Sequence, residues 1–146
     1  MNEKIISALS WRYAVQAFDK SKKVSDADLT TILESARLSA SSFGLEPWKF
    51  IVVENPDIRA KLAAVGYGQP KITEASHLIV VARRTDAREN IVSERISRTA
   101  TIQGVDAAML DGFKQMLDGT VLGRDDAALD VWNRCQTYSA LGSMME

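Results

Sequence analysis

The chain has 146 residues, 46% of them hydrophobic and 25% charged, with a formal net charge of −1. That size and balance suit one soluble domain with a real core, and the near-neutral charge argues against a nucleic-acid partner, which calls for a basic face. The longest apolar runs, residues 50–53 and 78–82, fall far short of the roughly 20 residues that a bilayer-spanning helix needs. Met1-Asn2-Glu3-Lys4 begins no secretory leader, so the expected location is cytoplasmic, away from any membrane.

In chain order, residues 3–9 predict a short helix with Ile5, Ile6 and Leu9 on one side. Residues 11–19 have no period, and residues 20–23 read as a polar, basic hinge. Ser25 is a good N-cap with Asp28 placed nearly as in a capping box. Leu29, Ile32, Leu33 and Ala36 follow at helical spacing, so residues 26–39 are expected to be helical. Residues 40–47 read as a loop, and residues 48–54, β-branched and aromatic, as a buried strand. Asn55-Pro56-Asp57 opens a helix with proline in its first turn, which ends at Gly66. Residues 66–70 form a second loop, 71–75 one helical turn, and 77–82 a second strand. The remainder reads as helix over about 88–98, about 105–117 and from 126 onward, with a turn at 119–123. Two strands alone make a marginal sheet. A stripe of Leu129, Trp132, Cys135 or Gln136, Leu141 and Met145 runs to the C-terminus without a cap. The pattern is expected to continue into at least one more strand.

Dinucleotide and phosphate-loop glycine motifs are absent. His77 opens a strand, where it reads as a satisfied polar residue. Cys135 sits among Trp132, Tyr138 and Ser139, where packing is the expected role. One histidine and one cysteine fall short of the four ligands zinc favours, so no metal is expected. Three segments could carry chemistry. Arg12, followed by small and polar residues, suits a phosphate, which guanidinium binds bidentately, or else it pairs with a surface carboxylate. Ala40-Ser41-Ser42-Phe43-Gly44 offers hydroxyls and backbone N–H groups to a polar ligand edge, or is an ordinary loop. Gly66-Tyr67-Gly68-Gln69-Pro70-Lys71 offers close backbone approach, an amide and a charge, or is a simple turn.

Their order and spacing are more specific than any one of them. Arg12-Tyr13 with Ala17-Phe18-Asp19, then Ser41-Ser42 ahead of Glu46-Pro47-Trp48-Lys49-Phe50, then Gln69-Pro70-Lys71 ahead of Glu74-Ala75-Ser76-His77, resembles the nitroreductase family. The segment with Trp132, Gln136, Tyr138, Ala140, Leu141 and Gly142 resembles the family's long central helix. The resemblance runs from Lys4 to Glu146 and is weakest over residues 85–125. It implies an α+β fold, a central mixed or antiparallel sheet flanked by helices, with residues 1–146 forming the N-terminal two-thirds of one domain.

The resemblance also implies FMN as cofactor and NADH or NADPH as co-substrate. The implied reaction passes hydride through the flavin N5 to a nitroaromatic, quinone or similar acceptor in a ping-pong cycle, and needs no protein nucleophile. A homodimer with the flavin at its interface follows from the same resemblance. By position, Arg12 matches the phosphate arginine, and Tyr13, Ala14 and Gln16 match its neighbours. Ala40, Ser41 and Ser42 match a loop that reaches the ring from the partner subunit. Gly68 and Gln69 match the pyrimidine edge, and Lys71 a lysine near N1–O2. Phe43 and Phe113 stand where an acceptor would lie. Four positions depart from the pattern: Ala40 replaces a frequent proline, Gly44 an asparagine, Gly68 a side-chain amide, and Gln16 a lysine or arginine. These departures and the short length imply weaker FMN binding than in intact members. They also keep open a non-catalytic relative that retains the dimer scaffold.

Overall fold

A computed structural model describes the backbone of residues 2–145 and the side chains of residues 3–145. The elements are α1 (Asn2–Trp11), α2 (Asp26–Arg37), a 3-10 turn (Ser42–Gly44), β1 (Trp48–Val53), α3 (Pro56–Val65) and α4 (Lys71–Glu74). There follow β2 (Leu78–Arg83), α5 (Ala87–Gln103), a 3-10 turn (Ala107–Leu110), α6 (Asp111–Leu122) and α7 (Asp126–Met144). β1 and β2 form a two-stranded sheet. The Arg84 N–H donates to the Pro47 carbonyl at 2.9 Å, pairing the start of one strand with the end of the other, so the sheet is antiparallel.

The local signals act as their chemistry requires. Ser25 Oγ accepts from the Asp28 N–H at 3.1 Å and donates to its carboxylate at 2.7 Å, which starts α2. Asn55 Oδ1 accepts from the Asp57 and Ile58 N–H groups, capping α3. Gly104, at φ +66°, ends α5 in the left-handed conformation that glycine takes without strain.

The chain divides into two compact units, each discontinuous in sequence. One comprises Met1–Arg37, Phe50–Val80 and Gly142–Glu146; the other comprises Leu38–Lys49 and Val81–Leu141. The second holds an apolar cluster of Leu45, Ala87, Ile91, Val92, Ile96, Leu117, Val121 and Leu129. Burying each of the larger side chains contributes about 1.5–3 kcal/mol. In the first unit only Ala36 and Arg59 are buried among the described residues. Polar ties across it include Lys20 to Glu74 at 3.3 Å and the Val24 N–H to Ser76 Oγ at 2.9 Å.

Several expectations are corrected. The strands are half-buried: Lys49 and Ile51 of β1 are exposed, and β2 is intermediate throughout. The helix expected at 105–117 begins as a 3-10 turn, and α6 then passes through the turn expected at 119–123. Leu117 and Val121, one turn apart, are both fully buried. Their burial outweighs the roughly 1 kcal/mol that Gly119 costs inside a helix. The helix expected at 88–98 runs on to Gln103. Cys135, expected to pack, is exposed.

Candidate functional site

In the first unit, the chain leaves α1 at Arg12, whose N–H still donates to the Ala8 carbonyl at 3.2 Å. Arg12 lines a cavity of about 400 Å³ with Ile5, Ala8, Leu9, Trp11 and Met145. Tyr13, Ala14 and Gln16 are exposed, and the Gln16 amide donates to the Ala14 carbonyl at 2.9 Å, folding the segment on itself. Lys71, the first residue of α4, donates from Nζ to the Val15 carbonyl at 3.1 Å. That bond joins the segment that follows Arg12 to the start of α4, 56 residues further along the chain. Neither Arg12 nor Lys71 forms an ion pair among the described residues. The turn between α3 and α4 is sterically defined: a methyl at Gly66 would meet Ile72 Cδ1 at 2.6 Å. At Gly68, φ +64°, a methyl would meet nothing within 4 Å, and Gln69 beside it is exposed.

In the second unit, Ser41 is extended and Ser42–Gly44 makes one 3-10 turn. The Ser42 N–H donates to Gln136 Oε1 of α7 at 2.8 Å, and Ser41 Oγ accepts from the Glu46 N–H at 3.1 Å. Arg98 of α5 donates to Glu46 Oε2 at 2.8 Å and to the Gly44 carbonyl at 3.2 Å. A methyl at Gly44, φ +65°, would lie 2.9 Å from Arg95 Cζ, so the arginine occupies the space an asparagine would need. Ala40 and Phe43 are exposed, while Phe113 of α6 packs against the apolar cluster. Thus Ala40, Ser41, Ser42 and Phe43 share one loop, and Phe113 belongs to the core beneath α6.

Phe43, Glu46 and Tyr67 are the non-glycine residues with positive φ among the described residues. All three lie in the two loops singled out from sequence, where strain of about 1–3 kcal/mol per residue persists only if the surroundings impose it. His77 bonds Ser76 through Nδ1 at 3.0 Å, the satisfied role expected of it. Arg84 lies between Asp86 and Glu94, and its hydrogen bonds hold both carboxyls below their ordinary range. Sequence reasoning missed Gln136, Arg95 and Arg98 as supports of the serine loop. They lie about 50–95 residues from it, and no local spacing announces such pairs.

The family model described as Nitroreductase family matches residues 9–145. A protein of Staphylococcus saprophyticus bearing the name NAD(P)H nitroreductase is 38% identical over 154 residues, spanning 99% of this chain and 68% of that protein. The chain belongs to the nitroreductase family. A Bacillus subtilis relative with the same name is 38% identical over 99% of this chain and 69% of its own. Among solved structures, a B. subtilis nitroreductase matches with a TM-score of 0.86 at 16% identity, covering 99% of this chain and 69% of that one. An Exiguobacterium sibiricum nitroreductase in complex with FMN matches at 0.79 and 23% identity, covering 95% and 66%. The nitroreductase fold is therefore the fold of this chain, helix-rich with a small antiparallel sheet, the α+β class expected from sequence. No helix among the described residues is long and apolar enough to cross a membrane.

Proposed function

We propose that the chain serves an FMN-dependent oxidoreductase that takes electrons from NADH or NADPH and delivers them to a nitroaromatic, quinone or similar two-electron acceptor by a ping-pong mechanism. The observation that carries this reading is the Lys71–Val15 bond, which ties α4 to the segment that follows Arg12; neither Arg12 nor Lys71 has a carboxylate partner among the described residues. The residues fit the cofactor. A phosphate suits the Arg12 fork, Lys71 adds a second positive charge, and Gly68 leaves room beside the exposed amide of Gln69. The family membership and the FMN held by the Exiguobacterium structure support the same reading.

When bound, FMN supplies the two-electron chemistry; the protein supplies binding, orientation and charge. Arg12, with Tyr13, Ala14 and Gln16, receives the phosphate and the chain leading from it. Lys71 keeps a positive charge beside the ring, where negative charge collects on reduction. Ser41 and Ser42 would meet the ring edge of a cofactor carried by a second subunit, with Ala40 and Phe43 in the same loop and Phe43 offered to the acceptor. A homodimer also accounts for Ile5, Ile6, Trp11 and Tyr13, large apolar side chains exposed on and just after α1.

The test is to add FMN to the purified chain, desalt it and record the visible spectrum, then follow NADH and NADPH oxidation with a quinone present. Retained flavin and turnover are expected, with Lys71→Ala and Arg12→Ala each retaining less. A colourless wild-type chain would refute the reading and leave the non-catalytic scaffold in its place.

A further inference from the structure

Arg59 of α3 is 8% exposed and forms no ion pair among the described residues. A buried cation without a carboxylate is costly unless its donors are satisfied. Here each guanidinium nitrogen meets a backbone carbonyl: Nε donates to Ile72 at 2.8 Å, Nη2 to Ala75 at 2.5 Å and Nη1 to Ser76 at 3.5 Å. Those carbonyls belong to α4 and the residues that lead from it to β2. A four-residue helix cannot sustain itself, and the carbonyls of its last turn have no helical donors. The Arg59 fork supplies donors to that end. At the other end, Ile72 packs where Gly66 has no side chain, so its carbonyl and side chain are both fixed. Lys71 is the adjacent residue, and its ammonium meets Val15.

We propose that Arg59 is a positioning residue, which sets Lys71 and the Gly68-Gln69 turn where the cofactor's ring edge is received. This rests on the flavin reading above. Arg59 does not touch the cofactor; it acts through Ile72 and the α4 backbone. A leucine would fill the same space at lower desolvation cost but would leave three carbonyls without the Arg59 donors, and the segment carrying Lys71 would lose those three bonds to α3.

The test uses the full chain with Arg59→Lys, which keeps the charge but replaces a planar fork by a point donor. Without cofactor, amide hydrogen exchange over residues 68–75 is expected to quicken about tenfold, the amides of α5 staying unchanged. FMN affinity is expected to fall about tenfold, and Lys71→Ala to cost clearly less in the Arg59→Lys background than in wild type. Unchanged exchange, or strictly additive losses in that cycle, would overturn the proposal. If Arg59→Lys does not fold, the wild-type Arg59 Nε–H resonance decides: a protected signal supports the clamp, and one exchanging at the solvent rate overturns it. Wild-type chain that takes up no FMN while exchange responds as expected would refute the flavin reading, and the cofactor role of Arg59 with it.

Discussion

Alanine at Gly44 would probe the support of the serine loop. At φ +65° a side chain costs about 1–2 kcal/mol in the left-handed region. Restricting the unfolded chain returns about 0.4–1 kcal/mol. The new methyl would also stand 2.9 Å from Arg95 Cζ and Nη2, closer than real Cβ atoms come. Arg95 must then shift, although its Nε is buried and already lacks a partner among the described residues. Two other glycines separate these effects. Gly104 has nearly the same φ, +66°, with nothing within 4 Å of a methyl, so Gly104→Ala carries the backbone strain alone. Gly112, in the first turn of α6, is also open, so alanine there gains helix propensity without a clash. The expected order is a loss of about 2 kcal/mol for Gly44→Ala, a loss of about 1 for Gly104→Ala, and a gain of about 0.5 for Gly112→Ala. Urea unfolding would show these as shifts of midpoint at constant slope. If Gly44→Ala were no worse than Gly104→Ala, the contact with Arg95 would carry no cost and the account of that position would be wrong.

Gln136→Leu removes the acceptor of the Ser42 N–H and is expected to cost about 0.5–1.5 kcal/mol, with exchange of the Ser42 amide rising above that of its neighbours. Protection that survives the change would contradict the assigned bond. Leu117→Ala, at a fully buried position, is expected to lose about 2–5 kcal/mol in thermal or urea unfolding, and a loss below 1 would mean that the core closes over the gap. Arg84→Met tests the acid response. Asp86 and Glu94 are held below their ordinary range by hydrogen bonds from Arg84, so their contribution is complete above about pH 5 and fades as pH falls through the lowered values. Both carboxylates are substantially exposed, which keeps the effect modest. The gap in melting temperature between wild type and Arg84→Met should narrow on acidification; a widening gap would reverse the sign of the argument.

Short-range chemistry was legible in the sequence. Ser25 with Asp28, Asn55 with Pro56, and Gly66 each fix an element boundary through contacts within a few residues, and their helices begin or end as expected. Glycine misled at Gly119, because the fate of residues 119–123 depended on Leu117 and Val121 finding a core supplied by α5. The strands were read as buried from their β-branched and aromatic content, yet Ile51 is half exposed: residue type reports propensity, while burial depends on what covers each face. At the candidate site, Arg12, the serine pair and Lys71 stood out by type and order. Arg59 and Arg98 did not, and Gln136 stood out only as part of the central-helix pattern, because each acts on backbone distant in sequence.

Cys135 is the chain's single cysteine, exposed on α7, and the next residue is Gln136, which holds Ser42. Successive helical residues point about 100° apart, so a thiol-reactive fluorophore attached there would project outward without displacing the glutamine. The native sequence thus carries a unique labelling point next to the anchor of the serine loop. Changes in that loop's hold on α7 could be followed optically, with no cysteine added or removed.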